Sequence, residues 1–251
     1  MNSAVKRVIF FAILIGLWAL GSGLNLWLPT ILPSPTMVWK SLITGFADKT
    51  LLYDLLASFK RLVIGLGLSL IIGSLLGILL AKSKTADETV GSLLLALQSV
   101  PSIVWLPLAI MWFGMNEVSV VFVVILGGTF VMALNIRMGL KNVSPLFMNA
   151  ARTMGSSGMN LFWRVSLPAS IPYVVTGTRL AWAFAWRALM AGELLSTGPG
   201  LGYTLRYASD FGNMSLVIAV MIIIGVIGSI VDQLLFQRIE KSVLERWGLA
   251  G

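Results

Sequence analysis

Three ionisable residues interrupt an apolar stretch between residues 169 and 195. They are Arg179, Arg187 and Glu193, and Trp182 and Trp186 lie among them. An ionisable group within a membrane segment is costly and usually functional. An arginine guanidinium is a forked donor suited to an oxyanion. These residue types therefore indicate a cation-bearing path for a small anion, with all five side chains as candidates to line it.

Helical spacing decides which of these side chains share a face. At about 100° per residue, four of them fall within roughly a 60° stripe and Arg187 lies about 80° from Arg179. The four are Arg179, Trp182, Trp186 and Glu193. Arg179 and Glu193 are about 21 Å apart along a straight helix, so each needs a partner on another helix, or water. For both arginines two interpretations stay open: contact with a transported solute, or a structural role in which the side chain forms an interhelical ion pair or snorkels to the membrane interface. The tryptophans are more typical of packing.

Residue types that are missing exclude several chemistries. The chain has no Cys and no His, which removes disulfides, Cys/His zinc sites, thiol nucleophiles and histidine bases. It has no P-loop and no G-x-S-x-G elbow. Glu193 and Asp232 are the only acidic residues expected within spans. We therefore predict no catalytic residue and no metal site, and keep an intramembrane enzyme and a membrane scaffold as alternative functions.

The elements that must position these residues are membrane helices. Hydrophobic residues make up 57% of the chain, charged residues 11%, and the mean hydropathy is +0.92. Because roughly 20 apolar residues cross a bilayer, we predict an all-α polytopic membrane protein with about six spans. We expect the first span to be retained, although its basic start also fits a signal peptide. The predicted spans are residues 8–28, 62–81, 90–113, 118–136, 169–195 and 214–236.

Two sequence details refine the predicted spans. On the second span, Ser69, Gly73 and Gly77 recur every four positions, and small residues on one face allow another helix to approach closely. On the third, Pro101 and Pro107 predict kinks or local unwinding.

Basic residues set the predicted orientation. Most lysines and arginines of the loops fall on one side if the N-terminus is cytoplasmic, and this excess predicts that both termini are cytoplasmic. We assign the net charge of +8 to topology and to contact with anionic lipids of the bilayer, rather than to nucleic acid. The basic residues placed on the outer side are Lys40, Lys49, Lys60, Arg61 and Arg206.

The loop at residues 145–168 is the one sizeable polar break on the predicted cytoplasmic side. Pro145 fits the first turn of a helix. Gly155 can adopt the positive φ that ends a helix and reverses the chain. A second short helix is expected over residues 159–165, and Pro168 then opens the fifth span. The loop therefore predicts a helix–turn–helix along the membrane face.

The spacing within this loop resembles a known motif. The membrane subunits of ABC-type importers carry E-A-A, three residues, Gly, nine residues, an aliphatic residue, one more, and Leu-Pro. This chain has N-A-A at 149–151, Gly155, Val165 and Leu167-Pro168 at matching positions. Asn149 stands where the family usually has Glu, and it keeps a hydrogen-bonding side chain. LPSPTMVW, SFKRLVIGLGLSLIIGSLLGILLAKS, SVPSIVWLPLAIMWFG and GELLSTGPGLGY also resemble the branch that imports sulfonates, taurine, nitrate or bicarbonate.

The resemblance implies an architecture and a set of partners. It implies the type I (MetI-like) permease fold, with an N-terminal helix and external interfacial segment over 1–58 and a core permease domain over 59–251. It implies a second permease copy, with a homodimer expected, two cytoplasmic ABC ATPases that bind ATP and Mg, an external solute-binding protein, and the bacterial plasma (inner) membrane. Coupling to the ATPase is implied for the matching positions Asn149, Ala150, Ala151, Gly155, Leu167 and Pro168.

Overall fold

The computed structural model describes residues 3–248, and every element in that range is a helix. The residues at the two chain ends, 1–2 and 249–251, lie outside the described residues. Single π-helical turns lie at Asp87–Gly91, Phe162–Ser166 and Asp232–Phe236, within longer helices. The helices are α1 (Ser3–Gly23), α2 (Pro35–Ala47), α3 (Thr50–Lys82), α4 (Lys84–Gln98), α5 (Ser102–Phe113), α6 (Glu117–Lys141), α7 (Pro145–Thr153), α8 (residues 158–169), α9 (Ile171–Glu193), α10 (Leu201–Asp210) and α11 (Met214–Arg246).

Side chains at the helix starts explain several of these bounds. Ser34 accepts a hydrogen bond from the Met37 amide, with Pro35 as the first residue of α2. The Asp48 carboxylate accepts one from the Thr50 amide at 3.0 Å, where α3 begins. The Asn116 side chain accepts a hydrogen bond from the Val118 amide at 2.8 Å, where α6 begins. Each cap satisfies an amide that has no partner within its own helix.

The helices are those of a multi-pass membrane protein, as predicted. Among the described residues, four helices are long and apolar enough to cross a bilayer, α1, α3, α6 and α11, and α4 with α5 form a fifth candidate, bent by 98°. Helix α9 is long enough to be the predicted sixth span but is not apolar enough to count among these candidates. Its 23 residues reach about 34 Å at 1.5 Å per residue, but Arg179, Arg187 and Glu193 lower its hydropathy.

Two predicted boundaries were wrong. Helix α1 ends at Gly23 rather than continuing to residue 28, and Asn25 just beyond it takes a positive φ of 52°. Helix α3 begins at Thr50 rather than near residue 62. The unwinding predicted in the third span is confirmed at Pro101, because the chain breaks at residues 99–101 between α4 and α5. Pro107 introduces no break and fits the first turn of the α-helical part of α5, which begins at Leu106.

Contacts divide the chain into two compact units. One consists of residues up to Ser58 together with Gly198–Val226. Within it, the Asp54 carboxylate accepts hydrogen bonds from the Gly200 amide at 3.1 Å and the Thr204 hydroxyl at 2.5 Å. The Ser58 hydroxyl accepts one from the Leu201 amide at 2.9 Å. These bonds fix the start of α10 against the first turns of α3.

The second unit, Phe59–Thr197 with Ile227 onward, is built around α6. In this helix 67% of the most apolar window is buried, against 28% in α3 and 17% in α11. Met132 and Ile136 of α6 pack with Ala181 of α9, and Val123 packs with Leu106 of α5 and with α9. Helix α6 therefore holds the other helices of this unit in place.

The small-residue face of α3 is the surface that contacts α6. A Cβ at Gly73 would lie 2.7 Å from the Thr129 carbonyl oxygen, and one at Gly77 would lie 2.5 Å from that of Ala133. Ser69 is buried and contacts Gly128. The two backbones therefore approach as closely as the spacing of Ser69, Gly73 and Gly77 predicts.

We expect Gly77→Val to destabilise the protein by about 1–3 kcal/mol, because the added side chain must push α6 away. Gly67→Val is the matched control. Gly67 lies on the same helix and has nothing within 4 Å of an added Cβ. The measurement is the midpoint of thermal unfolding of both variants in lipid nanodiscs. Equal midpoints for the two variants would contradict the close packing of α3 on α6.

Candidate functional site

Arg179 is held by carboxylates near the predicted cytoplasmic end of α9. Its Nε and Nη2 donate to the two oxygens of Asp232 at 2.9 and 2.8 Å, and its Nη1 donates to Glu240 at 2.6 Å. The other oxygen of Glu240 accepts from the Thr176 hydroxyl at 2.7 Å. All three guanidinium nitrogens of Arg179 donate to carboxylates, and the two anions surround one cation. Of the two interpretations of Arg179, the structure therefore supports the interhelical ion pair.

Glu193, at the other end of α9, belongs to a second ion network. Its carboxylate accepts from Arg61 Nη1 at 2.7 Å, and both side chains are buried, at 0% and 1% exposure. Arg61 Nη2 also lies 3.2 Å from Glu117, which in turn pairs with Lys60 at 3.1 Å. The network joins α3, α6 and α9, and its two cations and two anions are balanced. The buried pair of Glu193 with Arg61 therefore ties α9 to α3.

Trp182 and Trp186 form a packed aromatic column. Their rings stack at 5.6 Å with an interplanar angle of 17°, and Trp182 stacks on Phe236 at 5.4 Å. Both are buried, and the Trp186 ring lies against Gly228. The column attaches the last half of α11 to α9, so both tryptophans pack within the protein, as their spacing suggested.

Arg187 differs from the other charged residues of α9. Its guanidinium forms no ion pair with any carboxylate of residues 3–248. The side chain is exposed, and its nearest described interaction is with the Phe184 ring at 5.8 Å. It lies six residues before Glu193, about 9 Å along the helix axis. Arg187 is therefore the cation of α9 that remains available to an anionic solute.

A cavity of about 260 Å³ lies beside Arg187. It forms where the chain breaks between α4 and α5, because the 98° bend moves the two helices away from a straight path across α6 and α9. Gln98 and Ser102 flank the break and supply polar groups, while Phe130, Val131 and Phe184 supply apolar wall. The cavity thus combines one cation, one amide and one hydroxyl with a largely apolar surface.

The loop at residues 145–168 has the predicted helix–turn–helix form. Helix α7 begins at Pro145, capped by the Ser144 hydroxyl, and ends at Thr153. Gly155 then reverses the chain with a φ of 87°. Helix α8 follows and leads through Leu167 and Pro168 to α9 with only Ser170 between them.

The two helices of the loop differ in burial. No residue of α7 is buried: Asn149 and Ala150 are exposed, Ala151 is half-buried, and Leu146 and Met154 are 73% and 87% exposed. Helix α8 is anchored instead, with Leu161 and Phe162 buried. Lys82, at the end of α3, lies 3.8 Å from the centre of the Phe162 ring, a cation–π contact. Helix α7 is therefore the part of the loop that is open to another molecule.

These features define a class of protein: a helical, multi-pass membrane protein with a solute-sized cavity and an exposed polar loop. The family model of binding-protein-dependent transport system inner membrane components matches residues 70–243, and the chain belongs to this family. It is therefore a permease component of an ABC importer and lies in the inner membrane.

Similar proteins agree with this assignment. The chain is 30% identical to the taurine transport system permease protein of Escherichia coli, over 88% of this chain and 82% of that protein. It is 29% identical to the nitrate import permease protein of Leptolyngbya laminosa, over 93% and 86% respectively. The fold matches the inward-facing MetNI methionine ABC transporter with a TM-score of 0.69 at 18% identity, over 78% of this chain and 97% of that one. The predicted MetI-like permease fold is confirmed.

Sequence reasoning does not identify Arg61 as part of an ion network or Arg179 as the partner of Asp232. Arg61 is placed with the basic residues of the outer side, and the structure shows that it is buried within α3. Its position continues the four-residue spacing of Ser69, Gly73 and Gly77 back through Gly65, and that signal predicts that it lies on the face that contacts α6. Asp232 pairs with Arg179 and not with an arginine of the C-terminal tail.

We expect Arg61→Met to lower the stability of the protein by about 3–5 kcal/mol, because Glu193 would keep a buried charge without its cation. The double substitution Arg61→Met/Glu193→Met should recover much of the loss, since it removes both charges. Thermal unfolding in nanodiscs provides the measurement, with Lys84→Met as control. Lys84 forms an ion pair while 88% exposed, and its loss should have no measurable effect. An Arg61→Met midpoint equal to that of the control would contradict the role of the network.

Proposed function

We propose that this permease conducts a small anionic solute past Arg187, through the cavity at the break between α4 and α5. The observation that carries the proposal is that Arg187 lines this cavity and has no carboxylate partner in residues 3–248. An unpaired guanidinium within a membrane segment is costly unless an anion or water satisfies it. Relatives that carry taurine and nitrate in their names support an anion as that ligand.

We propose that the loop at residues 145–168 couples transport to ATP hydrolysis on two copies of a cytoplasmic ABC ATPase. The chain has no P-loop, so ATP and Mg would be bound by that partner. Asn149, Ala150 and Ala151 lie on the exposed helix α7 and would contact it. Gly155 would provide the turn, and Leu167 and Pro168 would join the loop to α9.

The remaining parts of the assembly follow the family. We propose a homodimer, because one chain has a single coupling loop and symmetric closure is the usual arrangement of such subunits. An external solute-binding protein would deliver the solute. The excess of lysine and arginine in the loops on one side supports an orientation with both termini in the cytoplasm.

An intramembrane enzyme is not favoured by the site. The two acidic residues expected within spans, Glu193 and Asp232, are each held by an arginine. A carboxylate engaged in this way is poorly placed to accept a proton from a substrate. A scaffold function would not require the cavity beside Arg187.

We expect Arg187→Met to reduce uptake about ten- to hundredfold, the range that corresponds to losing a hydrogen bond to a charged group. Arg187→Lys should keep part of the activity. The measurement is initial uptake of labelled taurine and nitrate by proteoliposomes that contain the permease, its ATPase and its binding protein.

The stability of the complex provides the control for this prediction. Because Arg187 is exposed and forms no ion pair with residues 3–248, the yield and the unfolding midpoint should not change. Arg179→Met should instead lower both, since it would leave Asp232 and Glu240 without their cation. Uptake by Arg187→Met at the wild-type rate for both solutes would overturn the proposed path.

We expect Gly155→Val to uncouple ATP hydrolysis from uptake. A β-branched residue is strongly disfavoured at φ 87°, so the turn between α7 and α8 would change, although an added Cβ meets nothing within 4 Å. Gly155→Asn should be milder, because asparagine tolerates the left-handed region. The measurement is the ratio of solute imported to ATP hydrolysed in proteoliposomes. A wild-type ratio for the valine variant would show that the turn is not needed for coupling.

A further inference from the structure

Two cavities of the first compact unit share Lys40 and therefore lie side by side. The first, the polar pocket, measures about 350 Å³, and Ser41, Thr44 and Asp48 are among the residues that line it. The second, the apolar groove, measures about 690 Å³ and is lined by side chains of α1, α2 and α11. Together they offer a ligand one polar end and one apolar end.

Exposed apolar side chains form much of the apolar groove. Met37 and Trp39 are exposed, and Val38 between them is buried. Trp18 is held in place because its Nε1 donates a hydrogen bond to the Pro33 carbonyl oxygen at 3.0 Å. The groove volume of about 690 Å³ is about twenty times the roughly 30 Å³ that a water molecule occupies in the liquid. The groove is therefore large enough for part of a hydrocarbon chain.

The helices that line the two cavities place them at different depths in a membrane. Asn213, which lines the polar pocket, directly precedes α11, whereas Ile222 of the apolar groove lies eight residues after the first residue of that helix. Ile15 of the groove lies eight residues before the end of α1 at Gly23. Eight residues correspond to about 12 Å along a helix, and the headgroup layer of a bilayer is about 5–8 Å thick. The polar pocket is therefore level with lipid head groups, and the groove is level with acyl chains.

The polar pocket carries one charge of each sign. Lys40 is exposed and forms no ion pair with any carboxylate of residues 3–248. Asp48 forms no ion pair in that range either, and the hydrogen bonds from the amide and the hydroxyl of Thr50 both go to its Oδ1. The two charged residues are eight positions apart, about 12 Å along the helix axis. A phosphate joined to an ammonium by two carbon atoms spans roughly 10 Å when one hydrogen bond is counted at each end.

We propose that the polar pocket and the apolar groove together bind a phospholipid whose head group carries a phosphate and a primary ammonium, as in phosphatidylethanolamine. Lys40 would contact the phosphate, Asp48 would accept a hydrogen bond from the ammonium, and the groove would hold one acyl chain. Trp18 and Trp39 suit this position, because tryptophan is enriched where a membrane protein meets the headgroup layer. The lipid site belongs to the other compact unit than Arg187 and does not depend on which solute the permease carries.

The test is native mass spectrometry of the permease–ATPase complex in detergent, titrated with lipids that share the same acyl chains. The three lipids are phosphatidylethanolamine, phosphatidylcholine and phosphatidylglycerol, and the measurement is the Kd of the first lipid bound per permease chain. Choline has no N–H to donate to Asp48, and a glycerol head group has no cation. We therefore expect phosphatidylethanolamine to bind about tenfold tighter than the other two, the factor that corresponds to one hydrogen bond to a charged group.

Variants of the polar pocket separate the two charges of the head group. Asp48→Asn should bring phosphatidylethanolamine to the affinity of phosphatidylcholine, while the asparagine oxygen still accepts from the Thr50 amide and keeps the helix cap. Lys40→Met should weaken all three lipids about tenfold, because each contains a phosphate. Lys49→Asn is the matched control and should change no Kd. Lys49 is an exposed lysine that lines neither cavity, and asparagine tolerates its positive φ of 65°.

A variant of the apolar groove tests the contact with the acyl chain. Trp39→Ala should weaken all three lipids about fivefold without changing their order, the factor that corresponds to about 40 Å² less buried apolar surface. Trp112→Ala is the control, because Trp112 is 55% exposed against 63% for Trp39 and does not line the groove. The unfolding midpoint of each complex, measured in the same detergent, checks that the variants fold.

The outcomes separate a specific lipid site from its alternatives. A preference for phosphatidylethanolamine that Asp48→Asn removes and Lys49→Asn keeps supports the inference. Equal Kd values for the three lipids, or equal losses in Lys40→Met and Lys49→Asn, overturn it and indicate unspecific lipid contact. Absence of bound lipid, with Trp39→Ala shifting the complex to a single permease chain, also overturns it, because a second copy would then cover the groove. None of these results bears on uptake by the Arg187 variants, so the proposed function is tested separately.

Discussion

The structure of this permease depends on the cost of placing an ionised group among membrane helices. Arg179 meets this cost with two carboxylates of α11, and Glu193 meets it with Arg61 of α3. These pairs also tie separate helices together, since the partners are 53 to 132 residues apart in the chain. Once they are formed, Arg187 is the charge of α9 whose role the fold does not explain. That difference among the three charged residues of α9 is the basis of the proposed site.

Close backbone contact is the second feature of the fold. Helix α6 meets α3 through Gly73 and Gly77 and meets α9 through Gly177, whose added Cβ would lie 2.7 Å from Asn135. In a membrane such contacts replace the hydrophobic effect as the main source of helix association. The Arg187 cavity lies where this tight packing is interrupted, at the break between α4 and α5. The closest helix contacts, around α6, and the Arg187 cavity therefore lie in adjacent parts of the same unit.

The sequence alone predicts the helical class, several membrane spans, the turn at Gly155 and the need of Arg179 and Glu193 for partners on other helices. These follow from local periodicity, from residue type and from helix length. The sequence does not tell which of the two arginines is paired, because that depends on Asp232 and Glu240, 53 and 61 residues further along the chain. It does not show that Arg61 is buried, because the alternation of the spans places Arg61 with Lys60 on the outer side. The cavity was also beyond reach, since Pro101 indicates a break but not its angle.

The direct joint between the loop at residues 145–168 and α9 has a geometric consequence. Helix α9 is an uninterrupted rod of 23 residues, and Arg187 lies about 24 Å from its first residue at 1.5 Å per residue. A tilt of about 10° at the loop end would displace a point at that distance by about 4 Å, comparable to the diameter of a small anion. Arg179 lies between the two points and is paired with Asp232 and Glu240 of α11, so such a tilt would also pull on α11. A small rotation at the loop end of α9 would therefore move Arg187 and the second half of α11 together.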